Sequence, residues 1–393
     1  MEQKSLLKRV LNSRFRRNDR DRMDAFKHFI NHIANPKIFF SCFALVFFFI
    51  FPVNDFFERW NQRLGLKKLW TIPGAVLIFT LLTVFFGLGL ADPNFRLVLL
   101  KPDNVPIMVL IYLSIFFLWF SMKQATENDL RVASGKPPME AEDAKEKILV
   151  WPDLVFIELI AMIVMMTVLA LWASFLPAPL EQPANPTDSP NPSKAPWYFL
   201  ALQEMLVYYD PWIAGVVLPT LIVVGLMAIP FLDRDERTTG YYCFRNRRMA
   251  IPFFLFGWLM LWVFLIVVGT FLRGPNWNFF GPFEFWDPKK LEALTNINLS
   301  ELIYMVWLKT GMPTNLLMRE LGGFIIVGGY FLILPPLLAK TFLKSVFERL
   351  GVMRYGIFVF LLLTAMSLPI KMFLRWVFNL KYLIAIPEYF FNV

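Results

Sequence analysis

The turn Pro196-Trp197-Tyr198-Phe199 is the segment of this 393-residue chain best built for chemistry. Three aromatic rings follow a proline, between two long apolar runs. At the water-facing edge of a bilayer such a wedge suits holding a flat, lipid-soluble ring. The same residue types also make an interfacial aromatic belt. Two carboxylates follow it, Glu204 and Asp210. A carboxylate beside aromatics at a membrane edge is placed to accept a proton. Asp210 directly precedes Pro211 and equally fits a helix cap with proline at the first helical position. Upstream, Asp153 opens another apolar run, where the helix dipole favours a carboxylate. Glu158 lies about one turn deeper, and an intramembrane carboxylate marks a functional site or a cationic neighbour.

Metal and thiol chemistry find little support. His28 and His32 are the only histidines. They stand at i and i+4 with no third ligand nearby, and read as a surface pair. Cys42 and Cys243 are the only cysteines, and neither belongs to a CxxC or CxxCH motif. No disulfide framework, c-type haem site or iron–sulfur site is visible.

The elements that must position these residues are membrane helices. The chain is 57% hydrophobic and 18% charged, too little charge for a soluble domain of this length. Backbone groups in lipid must bond within their own segment, and barrel-type alternation is absent. The expected fold is all-α: a polytopic membrane protein of about seven or eight transmembrane helices. Apolar runs lie near 70–91, 105–122, 151–177, 212–232, 250–272, 321–342 and 353–374. Each is close to the ~20 residues needed to span. A net charge of +9 fits basic loops and anionic headgroups rather than nucleic acid. The first residues are basic, without the apolar core of a cleavable signal peptide.

Loop cations set the orientation. Arg234, Arg237, Arg245, Arg247 and Arg248 place one loop on the negative side, as Lys340, Lys344, Arg349 and Arg354 place another. The loop 178–211 holds one cation, Lys194, and belongs on the positive side. Residues 1–36 form a basic tail suited to a membrane surface. The short run Ile38–Val53 leaves two readings. If it spans, the tail ends on the positive side, against the charge rule; if it dips in and returns, the tail stays on the negative side.

From Val150 to Trp277 the order of parts resembles the C-terminal part of cytochrome b, which is a separate subunit IV in bf complexes. Trp151-Pro152-Asp153-Leu154 precedes a span. A loop rich in Pro, Asn and Ser leads to the Trp197-Tyr198 turn, which resembles the Pro-Glu-Trp-Tyr turn of the family's quinol-oxidising pocket. A span, a basic loop and a third span follow, ending at Arg273-Gly274-Pro275-Asn276-Trp277. The last two spans and Leu368-Pro369-Ile370-Lys371 look like longer bacterial menaquinol-oxidising versions. The expected organisation is a surface tail (1–36), a membrane extension of unassigned role (37–145), a quinone-pocket core (146–286) and C-terminal helices (287–393).

The resemblance implies a haem-free half of a split cytochrome b, in a bacterial inner membrane. It oxidises (mena)quinol on the positive side and couples electron transfer to proton translocation. The implied partners are a dihaem cytochrome b subunit, a Rieske iron–sulfur protein and a c-type cytochrome, in a dimeric complex with lipid and quinone. The haems and the 2Fe-2S cluster belong to those partners, and this chain binds no metal. Pro196, Trp197, Tyr198 and Phe199 would contact quinone on the positive side, and Asp153 on the negative side. Where the family carries a proton-accepting glutamate this chain has Pro196, which cannot take a proton. Glu204 and Asp210 are the substitute candidates. A secondary transporter is the alternative from another class, and it would show internal repeats that are absent here. A purely structural anchor of a respiratory complex is the third reading.

Overall fold

The structure is a computed structural model describing residues 22–176, 183, 185–187, 190–234, 242–292 and 295–393. The basic run 14–20, Arg237 and much of the proline-rich loop fall outside these residues.

Seven helices among the described residues are long and apolar enough to cross a membrane. Numbered with their shorter neighbours, the principal helices begin with α1 (Arg22–Ile33), α2 (Pro36–Ile50) and α3 (Asp55–Leu64). Then come α4 (Ile72–Ala91), α5 (Pro93–Leu99), α6 (Val105–Ala133) and α7 (Val150–Phe175). The short α8 (Leu200–Met205) precedes α9 (Ile213–Leu232), α10 (Ala250–Leu272), α11 (Leu321–Lys340) and α12 (Lys344–Phe378). The expected all-α membrane fold is the observed one, and each expected span has its helix within a few residues. The largest differences are at α6 and α12. α6 continues past the apolar run to Ala133. α12 includes a polar first turn set off at Gly351, whose φ of 73° breaks the helix where a side chain would be strained.

By contacts the chain forms two compact units. Unit 1 comprises Met1–Ser193, Tyr241–Met249 and Thr270–Lys290. Its local signals are strong. Thr71 caps α4 by accepting from the Gly74 amide, with proline in the first turn. Asp92 stops α4 and caps α5, accepting from the amides of Asn94 and Phe95 at 2.9 and 3.1 Å. Asn128, fully buried, donates to Glu140 and to the Tyr242 carbonyl and accepts from the Met139 amide. It thereby ties the polar end of α6 to two loops.

Unit 1 also decides between the two readings of the first apolar run. α1 and α2 meet at a bend of 76°. α1 is held at the Ala91 end of α4: Lys27 pairs with Asp92 at 2.6 Å, and Asn31 accepts from the Phe283 amide. The far end of α2 is held at the opposite end of α4. Phe51 packs on Trp70 with ring centroids 5.8 Å apart, and Arg248 bonds the Pro52 carbonyl and Asp55. α2 therefore runs the depth of α4 and crosses, although its 15 residues make only about 22 Å of helix. The basic tail leaves from the end that helix alternation assigns to the positive side, against the charge rule. The tail carries nine Lys and Arg residues, and within unit 1 the Lys27–Asp92 and Arg248–Asp55 pairs and the aromatic contacts of α2 hold this arrangement against their bias.

Unit 2 comprises Lys194–Gly240, Ala250–Gly269 and Leu291–Val393. Within it α8 packs on the α10 segment Phe264–Val267, and α9 packs along α12, where Gly225 meets Leu361. A second core joins α11 to α12 through Tyr355, Val359 and Leu363. The C-terminal segment folds back as a two-residue hairpin of β1 (Ala385–Ile386) and β2 (Phe391–Asn392).

Candidate functional site

Trp197–Phe199 forms one 3-10 turn running directly into α8. Pro196 starts it, its carbonyl accepting from the Phe199 amide at 2.8 Å. The Gln203 side chain reaches back one helical turn to accept from the Ala195 amide at 2.8 Å. This brace fixes the angle at which the loop enters the helix. The rings form a continuous series: Trp197 meets Tyr198 edge-on at 5.5 Å, and Tyr198 lies 4.4 Å from Phe199. Trp197 is half-buried, whereas Tyr198 and Phe199 are 46% and 47% exposed. Two adjacent rings left bare by a braced turn offer an apolar face with one phenolic hydroxyl.

The buried side of the same element is anchored. Leu200, Ala201 and Met205 are buried on α8, and Gly269 of α10 lies in van der Waals range of Leu200. Glu204 faces this side. It is fully buried, and the Tyr208 hydroxyl donates to its Oε1 at 3.2 Å. The sequence suggested an edge carboxylate two helical turns past Trp197. The 3-10 turn and a helix of only six residues instead rotate Glu204 inward, onto a protein contact. A fully buried carboxylate needs donors, and Tyr208 supplies one.

Asp210 precedes α9 and accepts from the Trp212 amide at 3.3 Å, the bond expected of a cap. Its other oxygen accepts from Asn392 of β2 at 2.9 Å, and Tyr382 lies close to its carboxylate. Burial and the Asp210 charge push the Tyr382 hydroxyl above its usual range, so the phenol stays a donor. Burial likewise raises Tyr209, whose hydroxyl shares a 2.6 Å bond with Ser367. Asp210 is thus engaged with the C-terminal segment, an arrangement the sequence did not show.

That segment is held by buried charges that sequence reading passed over. Lys371, 4% exposed near the end of α12, donates to the Lys381 carbonyl and lies over the rings of Tyr209 and Tyr382. Glu320, 1% exposed, accepts from the Ala385 amide and from Arg319, which also forks onto both oxygens of Glu388. A lysine inside an apolar span was the available signal.

In unit 1 the end of the proline-rich loop is pinned to the turn after α10. The Asn191 side chain accepts from the Asn276 amide at 2.7 Å and donates to the Asn276 side chain at 2.9 Å. Arg273 donates to the Trp277 carbonyl. Gly274 is required here, because an added Cβ would lie 2.5 Å from the Phe280 ring. Trp286 packs on Phe280 within this folded turn.

Asp153 and Glu158 are exposed on α7, none of whose residues is buried, and neither has a hydrogen bond or ion pair among the described residues. His28 and His32 lie on α1, and no group of three or more His, Cys, Asp or Glu that could hold a metal occurs among the described residues. Cys243 is buried, and burial with the nearby Asp129 and Glu140 raises its thiol, which makes it unreactive.

These features define a multi-pass α-helical membrane protein with a braced aromatic turn ahead of a span. Residues 183–282 match the family model for cytochrome b (C-terminal)/b6/petD, which supports a cytochrome b C-terminal-type domain in this segment. It contains the aromatic turn, α8, Asp210, α9 and α10. No solved structure matches the chain.

Proposed function

We propose that the chain is a quinone-pocket subunit of a quinol-oxidising complex of the bc or bf type, with the haems and the Rieske cluster on partner subunits. The observation that carries this reading is the position of the braced aromatic turn inside the family-matched segment. Tyr198 and Phe199 hold the quinol ring by stacking, and the Tyr198 hydroxyl donates to a quinone oxygen. The reaction converts quinol to quinone with release of two electrons and two protons. The electrons pass to the partners' centres. This chain's own task is to orient the ring, exclude water from one face and take up a proton.

Glu204 is the proton acceptor of this scheme, reached by a small movement of Tyr208 or by water. Asp210 is second, since two donors already occupy it. Menaquinol is the substrate proposed from the resemblance of the C-terminal spans to bacterial menaquinol-oxidising forms. Asp153 is proposed for a negative-side quinone pocket, which a partner subunit would complete.

The test is Tyr198→Ala in the purified complex, with subunits and haem counted. Losing one stacked, hydrogen-bonding ring is worth roughly 1–3 kcal/mol, so turnover falls about ten- to a hundredfold while haem content holds. Unchanged turnover per assembled complex places the pocket elsewhere. Purification without a haem or Rieske subunit refutes the assignment to this class of complex.

A further inference from the structure

A second site lies in unit 1, outside the family-matched segment, between α1 and the end of α4. A cavity of about 510 Å³ is lined by Arg22, Phe26 and Lys27 of α1, by Leu88 and Asp92 at the end of α4, and by Phe283. Its chemistry is graded with depth. Arg22, Lys27 and Asp92 stand at the rim, where α4 ends, while Leu88 lies one turn further into the span. Lys27 and Asp92 neutralise one another at 2.6 Å. Asp92 is itself buried; burial raises its carboxyl, but Lys27 and two backbone amides hold it below the usual range, so the pair stays charged. Arg22 has no acceptor among the described residues. Among the described lining residues, two cations, Arg22 and Lys27, stand against one carboxylate, Asp92, above an apolar floor.

We propose that this cavity binds an anionic phospholipid. Its phosphate pairs with Arg22 in the two-pronged geometry a guanidinium favours, and the start of an acyl chain lies along Phe26, Leu88 and Phe283. The occupant follows from charge complementarity and from the polar-to-apolar gradient, which matches the headgroup-to-chain order of a lipid at that depth. A zwitterionic lipid would bring a cation against Arg22 and Lys27. A free phosphate would leave the apolar floor against water. The bound lipid also fastens α1 to the bilayer, adding to the Lys27–Asp92 contact.

The experiment uses the complex reconstituted in nanodiscs of equal phosphatidylglycerol and phosphatidylcholine, with retained lipids counted by native mass spectrometry. Wild type is expected to retain phosphatidylglycerol in preference, and Arg22→Gln to lower that preference about fivefold, the worth of one basic side chain at an anionic surface. Arg96→Gln, an exposed arginine on α5 outside the cavity, leaves it unchanged. Leu88→Trp fills the floor and lowers retention while leaving Arg22 in place. Equal retention of the two lipids by wild type overturns the proposal, as do equal effects of Arg22→Gln and Arg96→Gln. Loss of the lipid on adding millimolar inorganic phosphate shows that the site reads an anion alone, and also overturns it.

Discussion

Glu204→Gln tests the proposed proton acceptor most directly, because the substitution keeps size and packing. Glu204 is fully buried on the side of α8 that packs on α10, and it accepts from the Tyr208 hydroxyl at 3.2 Å. A hydrogen bond to a charged acceptor contributes about 1.5–3 kcal/mol and a neutral one about 1 kcal/mol. Glu204→Gln should then destabilise the domain by roughly 1–2 kcal/mol, too little to prevent assembly in an otherwise stable complex. Its effect on rate should be larger, since a positioned base is worth about 10²–10⁴-fold. Tyr208→Phe removes the same hydrogen bond and keeps the carboxylate. It should match the stability loss and lower turnover by no more than about tenfold, the rate equivalent of ~1.4 kcal/mol. The assay is steady-state oxidation of a short-chain quinol across a pH series, normalised to haem content of the assembled complex. Glu204→Gln should slow turnover at least a hundredfold and flatten its rise with pH. Equal losses in the two variants would mean that Glu204 acts through packing. Full turnover in Glu204→Gln would move the proton to Asp210, to water or to a partner.

Three other expectations follow from the geometry. Gly323→Ala would place a Cβ 2.1 Å from the Leu383 carbonyl oxygen, whereas Gly328→Ala meets nothing within 4 Å; limited proteolysis should therefore release the C-terminal segment in the first variant, by a destabilisation of about 1–3 kcal/mol, and not in the second. In a background with Cys42 and Cys243 replaced, Met23→Cys should be labelled by an impermeant maleimide from the same side as Lys101→Cys and from the side opposite Ser134→Cys, because α2 crosses; labelling of Met23→Cys with Ser134→Cys would mean that it returns. The Asp92 carboxyl titrates below its unfolded value of 3.8, so its contribution is complete above that pH and is lost as pH falls through the folded value. Hydrogen exchange in α1 should be constant from pH 5 to 8, after correction for intrinsic rates, and faster below about pH 3.8; Asp92→Asn should show the faster exchange throughout.

The membrane class and the spans were legible in the sequence because both follow from local composition. An apolar run of about 20 residues has few options in lipid beyond a helix. The aromatic turn was legible for the same reason: residue types and order are local, and residues 183–282 carry enough of them to match a family. Tertiary structure decided what local signals leave open. The sequence allowed α2 to span or to return; Lys27–Asp92 at one end and Arg248–Asp55 at the other made it span, through partners far away in the chain. The sequence showed a carboxylate at 204 but not its direction, which depends on the exact phase between a 3-10 turn and a six-residue helix. It read Asp210 as a cap and gave no sign that Tyr382 and Asn392 would close on it. Composition and periodicity act within a few turns, whereas the polar partners of a buried charge are brought together only when the whole chain packs.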